Sequence, residues 1–393
     1  MTVAGQPPLH AALDMRWIFR ELSGIGRYTR ELAAELVHTA EGRRLTLLFH
    51  DPDIARREME ILAPPAGAAV EARVFPQGPF SPAAQFRWPG RLRSLGAQVY
   101  HAPNFMIPLG AFPKSRPAGR MALVVTLHDL IPVLHPEFTP RARKNLARGL
   151  VRRLMRESAI RADRVITPSA HTRADVLEAL DREASPRIRV VPEAAGAMYA
   201  PGDPPPVPGQ ILFVGRRDPY KNLAGVLEAF AAVARSVPGA KLRVISAPDP
   251  RYPEGEPLAR CLGVSDRVEW SGYVDGPRLL EAYRQACVFV LPSLYEGFGL
   301  PVLEAMACGT PVVCSRVSSL PEVAGDAALL VDPRDPEAIS SALIRVLTEP
   351  VLAARLRAAG IERARLFSWN QAARSTWAVY EEAAAARQGS SAP

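Results

Sequence analysis

Short apolar runs alternate along the chain with stretches in which apolar residues recur every three to four positions, a pattern that predicts repeated strand–helix units. In the first half the predicted strands are 9–19, 45–50, 98–101, 121–126, 164–168 and 188–191. In the second half they are 211–214, 241–246, 267–270, 288–291, 311–314 and 328–331. Residues 62–82, rich in Pro, Ala and Gly, are predicted to be a loop. The fold class is therefore α/β, with two doubly wound, Rossmann-like domains.

A proline-rich segment separates the two series of strands. Residues 201–209 contain five prolines, which make a stiff, extended connector. We predict an N-terminal domain over 1–200 and a C-terminal domain over 210–368, with a last helix at about 369–386 packed back on the first domain. Ligands of such folds bind at the carboxyl ends of the strands, so the site is expected in a cleft between the two domains.

The strongest chemical pattern lies between Leu291 and Ser315, which read as strand, glycine loop, helix and strand. Glu296 and Glu304 flank the loop Gly297-Phe298-Gly299-Leu300-Pro301. Glycines let the backbone approach a ligand closely, and proline suits the first positions of a helix, whose N–H groups then face an oxygen-rich ligand. If the helix begins near Pro301, Glu304 lies in its first turn. One small polar ligand is then expected to meet both carboxylates.

Two cations follow the first predicted strand of the second half. Arg216 and Lys221 flank a turn that leads into a helix. Arginine can hold a phosphate through two hydrogen bonds, and lysine adds a mobile charge. The spacing is not that of a Walker loop, and taken alone the segment also fits a charged surface turn. Combined with the acidic loop, two cations for a diphosphate and two carboxylates for sugar hydroxyls predict a nucleotide-sugar site.

The first half contains two further candidates at strand ends. Gly24 and Gly26 precede a helix predicted over 27–38, as in phosphate-binding turns, although structural tight turns have the same form. His128 and Asp129 follow the strand at 121–126. A histidine there can contact a ligand or cap the strand end through one hydrogen bond, and both interpretations remain open.

The charge of the chain narrows the class of partner. The net charge is +8 and the pI about 9.6, which fits a phosphate-rich ligand, an anionic membrane surface or a proteome rich in arginine. A basic helix over 141–161 predicts peripheral membrane contact or a solvated face on a core-packed helix. Nucleic acid is disfavoured because the basic residues form no recognised motif.

The same composition sets expectations for compartment and cofactors. The four cysteines form no CxxC pair, and no signal peptide or run of about 18 apolar residues is evident. We expect a cytoplasmic protein, with contact at the inner face of the membrane as an option. No DxD-type acidic pair stands at a convincing position, so we expect metal independence and no cofactor beyond the nucleotide-sugar substrate.

These elements resemble the family 4 retaining glycosyltransferases of the GT-B fold. The E-x7-E element at Glu296–Glu304, its continuation at 321–333, and the segments 23–32, 127–132 and 215–222 match in the family's order over nearly the whole chain. One departure follows Pro192, where many members read Asn-Gly-Val and this chain reads Glu193-Ala194-Ala195. No site residue is predicted at that position.

The resemblance implies a role for each matching residue. Glu304 would hydrogen-bond the donor ribose, and Glu296 would hold the transferring sugar together with the loop backbone at Gly297, Phe298, Gly299 and Leu300. Arg216 and Lys221 would neutralise the leaving diphosphate. Gly24 and Gly26 would lie against the donor phosphate, and His128 would contact the sugar near the reacting carbon. Transfer would proceed by front-face displacement with retention, aided by domain closure.

The segments 127–132 and 318–328 most resemble those of bacterial mannosyltransferases that use GDP-mannose. The resemblance therefore implies transfer of a hexose, with mannose from GDP-mannose as the first expectation, to a hydroxyl of a glycan or lipid-linked saccharide. A UDP- or dTDP-sugar donor is an alternative. Less favoured alternatives are a GT-B epimerase or phosphorylase and a non-catalytic partner subunit. The acceptor, the linkage and the oligomeric state do not follow from the residues.

Overall fold

The computed structural model of the chain describes residues 8–20, 22–115, 117, 119–138, 141 and 148–388. Its first sheet contains β1 His10–Asp14, β2 Arg44–Phe49, β3 Ala69–Val74, β4 Val99–Ala102, β5 Ala122–Thr126, β6 Arg164–Thr167 and β7 Ile188–Val190. Its second sheet contains β8 Gln210–Val214, β9 Lys241–Ile245, β10 Val268–Trp270, β11 Val288–Leu291, β12 Val312–Ser315 and β13 Ala328–Val331. All the neighbouring strands in both sheets pair in parallel.

Helices connect the strands in the described part of the chain. In the first half these are α1 Gly24–His38, α2 Pro52–Leu62, α3 Pro82–Ser94, α4 Ile131–Leu134, α5 Arg148–Arg161 and α6 Ala170–Ala179. In the second half they are α7 Leu223–Ser236, α8 Gly255–Cys261, α9 Gly276–Gln285, α10 Leu300–Ala307, α11 Leu320–Ala324, α12 Pro336–Thr348, α13 Pro350–Arg365 and α14 Trp369–Gln388. Short 3-10 turns cover Leu109–Ala111, Pro136–Phe138, Arg182–Arg187, Pro219–Lys221, Ser265–Arg267 and Gly325–Ala327.

The strand order reverses once in each sheet. The orders are β3-β2-β1-β4-β5-β6-β7 and β10-β9-β8-β11-β12-β13. The central strands are buried on both faces, as β1 and β11 are throughout, which is why they read as continuous apolar runs. This confirms the α/β, doubly wound prediction. Ligands of such sheets bind where the order reverses, here between β1 and β4 and between β8 and β11.

The predicted loop at 62–82 was wrong, because β3 forms within it. The segment Ala69–Val74 is the edge strand of the first sheet and pairs only with β2. Its residues are mostly half-buried or exposed, so the sequence lacks the apolar run that marks a central strand.

The chain divides into two compact units that are not continuous in sequence. The first comprises 1–130, 149–193 and 369–393, and the second comprises 131–148 and 194–368. The predicted boundaries had assigned 131–148 to the N-terminal domain. This segment groups with the second unit because the His135 ring lies 5.3 Å from the Tyr295 ring and the Arg141 N–H donates to the Tyr252 hydroxyl at 3.3 Å.

Helix α14 belongs to the first unit. The Trp369 ring packs edge-on against Tyr28 of α1 at 5.8 Å, and Arg164 donates to Glu382 at 2.8 Å. Both aromatic rings are buried, so the end of the chain contributes to the core of the first unit.

The basic helix predicted over 141–161 is only partly within the described residues, since 142–147 lie outside them. From Arg148 to Arg161 the chain is helical and buries Met155, Ser158 and Ala159. Membrane contact through this helix stays a prediction. Within the described residues, none of the helices combines the length and apolarity needed to cross a bilayer.

Candidate active site

The carboxyl ends of β8 and β11 bring a lysine and a glutamate together. Lys221 Nζ lies 2.6 Å from Glu296 Oε1, and the two side chains are only 11% and 10% exposed. Burial by itself lowers the pKa of Lys221, but the adjacent Glu296 charge outweighs it and the net shift is upward. Lys221 is therefore a permanent cation in a largely dry position.

Serine hydroxyls hold the loop that carries Glu296. Ser293 donates to Glu296 Oε1 at 2.7 Å, and the backbone N–H of Glu296 donates to Ser318 Oγ at 2.9 Å. The Ser319 hydroxyl lies 2.9 Å from the carbonyl oxygens of both Glu296 and Phe298 and donates its one hydrogen between them. These contacts fix the position of the carboxylate before any ligand binds. Sequence reasoning missed all three serines as supporting residues.

The glycine loop ends at the start of α10. Gly299 has a φ of +109°, and a Cβ at this position would lie 2.5 Å from the Leu320 side chain, so the residue must be glycine. Because α10 begins at Leu300, Glu304 is its fifth residue, and the prediction that it lies in the first turn was wrong. Gly297 and Phe298 complete the loop as predicted, and Phe298 is buried.

Glu304 is nearly fully buried beside a tyrosine that sequence reasoning missed. The Tyr283 hydroxyl of α9 donates to Glu304 Oε2 at 2.8 Å. A phenol that binds one carboxylate oxygen fixes the side chain in one orientation. Tyr283 lies on another helix, 21 residues before Glu304 in the chain. No sequence motif around Glu304 therefore predicts this contact.

Two adjacent arginines after β8 have opposite environments. Arg216 is 67% exposed, and its Nε lies 2.7 Å from Asp218 Oδ2. Arg217 is buried, binds Glu256 through two contacts of 2.7 Å and lies over the Trp270 ring at 5.1 Å. Arg216 can therefore bind an anion from solution, whereas Arg217 is paired with Glu256 inside the unit.

In the first unit the two predicted glycines differ. Ser23 caps α1 by accepting a hydrogen bond from the Gly26 N–H at 3.1 Å. A Cβ on Gly26 would lie 2.8 Å from the Trp17 carbonyl oxygen, whereas a Cβ on Gly24 would meet nothing within 4 Å. Gly26 is required by packing, and Gly24 leaves open space at the helix N-terminus.

His128 follows β5 and is held at both ring nitrogens. Nδ1 lies 3.1 Å from Glu193 Oε1, and Nε2 lies 3.0 Å from the Pro103 carbonyl oxygen. The Tyr28 ring packs edge-on against the imidazole at 4.5 Å, which joins α1 to this site. Burial lowers the pKa of His128, but the contact with Glu193 outweighs it, and the net shift is upward. Glu193 is a residue that sequence reasoning left unassigned.

A second histidine of the first unit behaves in the opposite way. His101 Nε2 lies 2.8 Å from Thr126 Oγ1, and Nδ1 lies 2.7 Å from the Tyr380 hydroxyl. Burial lowers the pKa of His101 to about 3. His101 is therefore neutral.

In each unit the predicted residues follow strands or lie at the start of an adjoining helix, and Lys221 and Glu296 are in direct contact. In the second unit Arg216, Lys221, Glu296 and the 297–300 loop all follow β8 or β11, on either side of the strand-order reversal. In the first unit Gly24 and Gly26 begin the helix that packs on His128. Across the described residues, no group of three or more His, Cys, Asp or Glu side chains is arranged to hold a metal ion.

Comparison with known proteins identifies two family matches that together cover most of the chain. Residues 22–194 match the model described as Glycosyltransferase Family 4, and residues 203–364 match Glycosyl transferases group 1. Both parts that carry the residues described above fall within these matches.

Individual relatives extend over the same length. The O-antigen chain mannosyltransferase B of Escherichia coli is 31% identical over 384 residues, which cover 92% of this chain and 96% of that protein. The D-inositol 3-phosphate glycosyltransferase of Acidothermus cellulolyticus is 32% identical over 381 residues, covering 88% and 84%. The sucrose-phosphate synthase structure from Thermosynechococcus elongatus superposes with a TM-score of 0.78 at 23% identity, over 96% of this chain and 100% of that one. The chain belongs to the family 4 glycosyltransferases of the GT-B fold, and it is a glycosyltransferase enzyme.

Proposed function

We propose that the enzyme transfers mannose from GDP-mannose, with retention of the anomeric configuration and without a metal ion, to a hydroxyl of a glycan or lipid-linked saccharide. The observation that carries the proposal is the Lys221–Glu296 pair at 2.6 Å with the exposed Arg216 on the same strand end. Cations there suit a nucleotide diphosphate, and the carboxylate suits sugar hydroxyls. The E. coli relative, named as a mannosyltransferase, supports mannose as the sugar.

The proposed roles follow from the chemistry of each group. Negative charge develops on the diphosphate as the glycosidic bond breaks, and fixed cations stabilise that charge. Lys221 supplies a charge already in place, and Arg216 supplies two parallel donors for phosphate oxygens. Glu296 accepts hydrogen bonds from the sugar together with the 297–300 backbone, and Glu304 accepts one from the ribose. Gly24 leaves room for the donor phosphate at the start of α1, with Gly26 beside it.

The carboxylates are not proposed as acid and base. Glu296 Oε1 already accepts from Lys221 and Ser293 at 2.6 and 2.7 Å. These two contacts use that oxygen as a hydrogen-bond acceptor. Its position suits recognition of hydroxyl groups rather than protonation of a leaving group.

A thermal-shift screen against GDP-mannose, GDP-glucose, UDP-glucose and dTDP-glucose tests the donor. A ligand at 100 times its Kd stabilises the folded state by about 2.7 kcal/mol, which raises Tm by several degrees. The proposal requires the largest shift with GDP-mannose. A shift with UDP-glucose alone would contradict the GDP assignment and support the alternative donor.

Turnover tests the rest of the proposal. Nucleotide release that depends on an added saccharide acceptor and persists in EDTA supports a metal-independent transferase, and an α-linked product read by NMR supports retention. Epimerised donor without acceptor would indicate the epimerase alternative. The relative named as a D-inositol 3-phosphate glycosyltransferase makes a small phosphorylated polyol a second acceptor class to include.

A further inference from the structure

Both nitrogens of the His128 ring face groups that accept hydrogen bonds. Nε2 lies 3.0 Å from the Pro103 carbonyl oxygen, which has no hydrogen to donate. Nδ1 lies 3.1 Å from Glu193 Oε1, and an ionised carboxylate also only accepts. A ring that donates from both nitrogens is the imidazolium cation.

Among the groups around His128, Glu193 does most to favour the imidazolium form. The side chains of His128 and Glu193 are 16% and 6% exposed. Among the other titratable groups that face the ring, Asp129 adds a weaker negative influence. Burial keeps Tyr28 neutral by raising its pKa, and His101 is neutral as described above. A carboxylate this buried is costly unless a cation pairs with it, so each partner stabilises the charge of the other.

We propose that Glu193 is a positioning residue that keeps His128 doubly protonated, so that His128 acts as a fixed cation and not as a proton acceptor. A general base needs a lone pair on a ring nitrogen, and here both nitrogens carry hydrogen. A fixed cation instead stabilises negative charge that develops on a bound substrate. The catalytic part rests on the proposed function, whereas the protonation state is a property of the free protein.

The protonation state is tested by NMR titration of the histidine Cε1–H signals in the free protein. The chain has seven histidines, and the His128→Gln variant assigns the signal of His128. The midpoint of His128 in the parent is expected above 6.5, the value of an unperturbed histidine. In Glu193→Gln, which removes the charge and keeps the shape, it should fall below the midpoint of the parent. Glu193→Asp should restore part of the shift.

A matched control is available in the second unit. Glu137 Oε1 lies 3.1 Å from His135 Nδ1, the same separation, but its side chain is 61% exposed. Glu137→Gln should leave the His128 midpoint unchanged. An unchanged midpoint in folded Glu193→Gln, or a parent midpoint below 6.5, would overturn the proposal. If Glu193→Gln does not fold, the parent midpoint and the Glu193→Asp midpoint decide the matter.

The catalytic part is tested by the pH dependence of kcat/KM. The imidazolium is fully present below the pKa and is lost as pH rises through it. The alkaline limb of Glu193→Gln should therefore move to lower pH by as much as the NMR midpoint, with activity falling about tenfold per pH unit beyond it. A moved midpoint with an unmoved limb would overturn the role of the charge. If no nucleotide-sugar is turned over, the proposed function fails while the NMR result still decides the protonation state.

Discussion

Each unit places a partly buried cation against a buried carboxylate just beyond the ends of its parallel strands. In the second unit Lys221 and Glu296 are 2.6 Å apart, and in the first His128 and Glu193 are 3.1 Å apart. The lysine is charged at every physiological pH, whereas an imidazole titrates near neutrality unless its surroundings prevent it. The two units thus share one electrostatic arrangement, a cation beside a carboxylate. In the second unit the charge of Lys221 is permanent, whereas in the first the charge of His128 depends on Glu193.

The two pairs also differ in how they are held. Lys221 and Glu296 follow β8 and β11, which are neighbours in their sheet, and Ser293 adds a hydroxyl to the carboxylate. His128 and Glu193 follow β5 and β7, which have β6 between them, and a backbone carbonyl binds the second ring nitrogen. Variants at charged residues separate the charges that bind substrate from those that stabilise the fold.

The largest loss of activity and stability is expected from Lys221→Met. It removes a proposed phosphate cation and leaves Glu296 buried without its partner, so kcat/KM should fall about 10³-fold and the free energy of unfolding by about 3–5 kcal/mol. Steady-state kinetics and denaturant unfolding measure the two losses. The double variant Lys221→Met, Glu296→Gln should recover stability but not activity. Activity within tenfold of the parent would refute the role of Lys221.

A smaller loss of activity is expected from variants at the adjacent arginines Arg216 and Arg217. Arg216 is exposed and Arg217 is buried, so the two variants compare an exposed charge with a buried one. Arg216→Ala should lower kcat/KM about tenfold and lower Tm less than Arg217→Ala, because the Arg216 side chain is 67% exposed although its partner Asp218 is buried. Arg217→Ala leaves Glu256 and Trp270 without their partner, so it should lower Tm clearly and affect activity less. Steady-state kinetics and melting curves of both variants check this. A larger loss of activity in Arg217→Ala and a larger loss of Tm in Arg216→Ala would show that the two roles are exchanged.

The smallest effect on activity is expected in the glycine loop of the first unit. Gly26→Ala places a methyl group 2.8 Å from the Trp17 carbonyl oxygen and should cost about 1–3 kcal/mol of stability. Gly24→Ala meets no atom within 4 Å and should leave stability unchanged while raising the donor KM a few-fold. Unfolding measurements and donor titrations test this pair. Equal stability losses would show that the loop packs differently.

The predictability of the two sites differs for a physical reason. Short segments contain Arg216, Lys221, Glu296 and the 297–300 loop, and the residue types and spacing of these segments predict contacts with phosphate and hydroxyl groups. No motif of the sequence marks Glu193, and only the pairing of β5, β6 and β7 brings it to His128. Tyr283 is likewise joined to Glu304 by helix packing alone.

The amino-acid sequence alone is enough to predict the two parallel sheets, the glycine loops and the order of the charged segments, because apolar period and turn chemistry are local properties. It did not determine the edge strand β3, the assignment of 131–148 to the second unit, or the charge state of His128. Those depend on contacts between residues far apart in the chain. Burial and the distance between two charges exist only once the strands have paired, and these two quantities decide which groups are ionised.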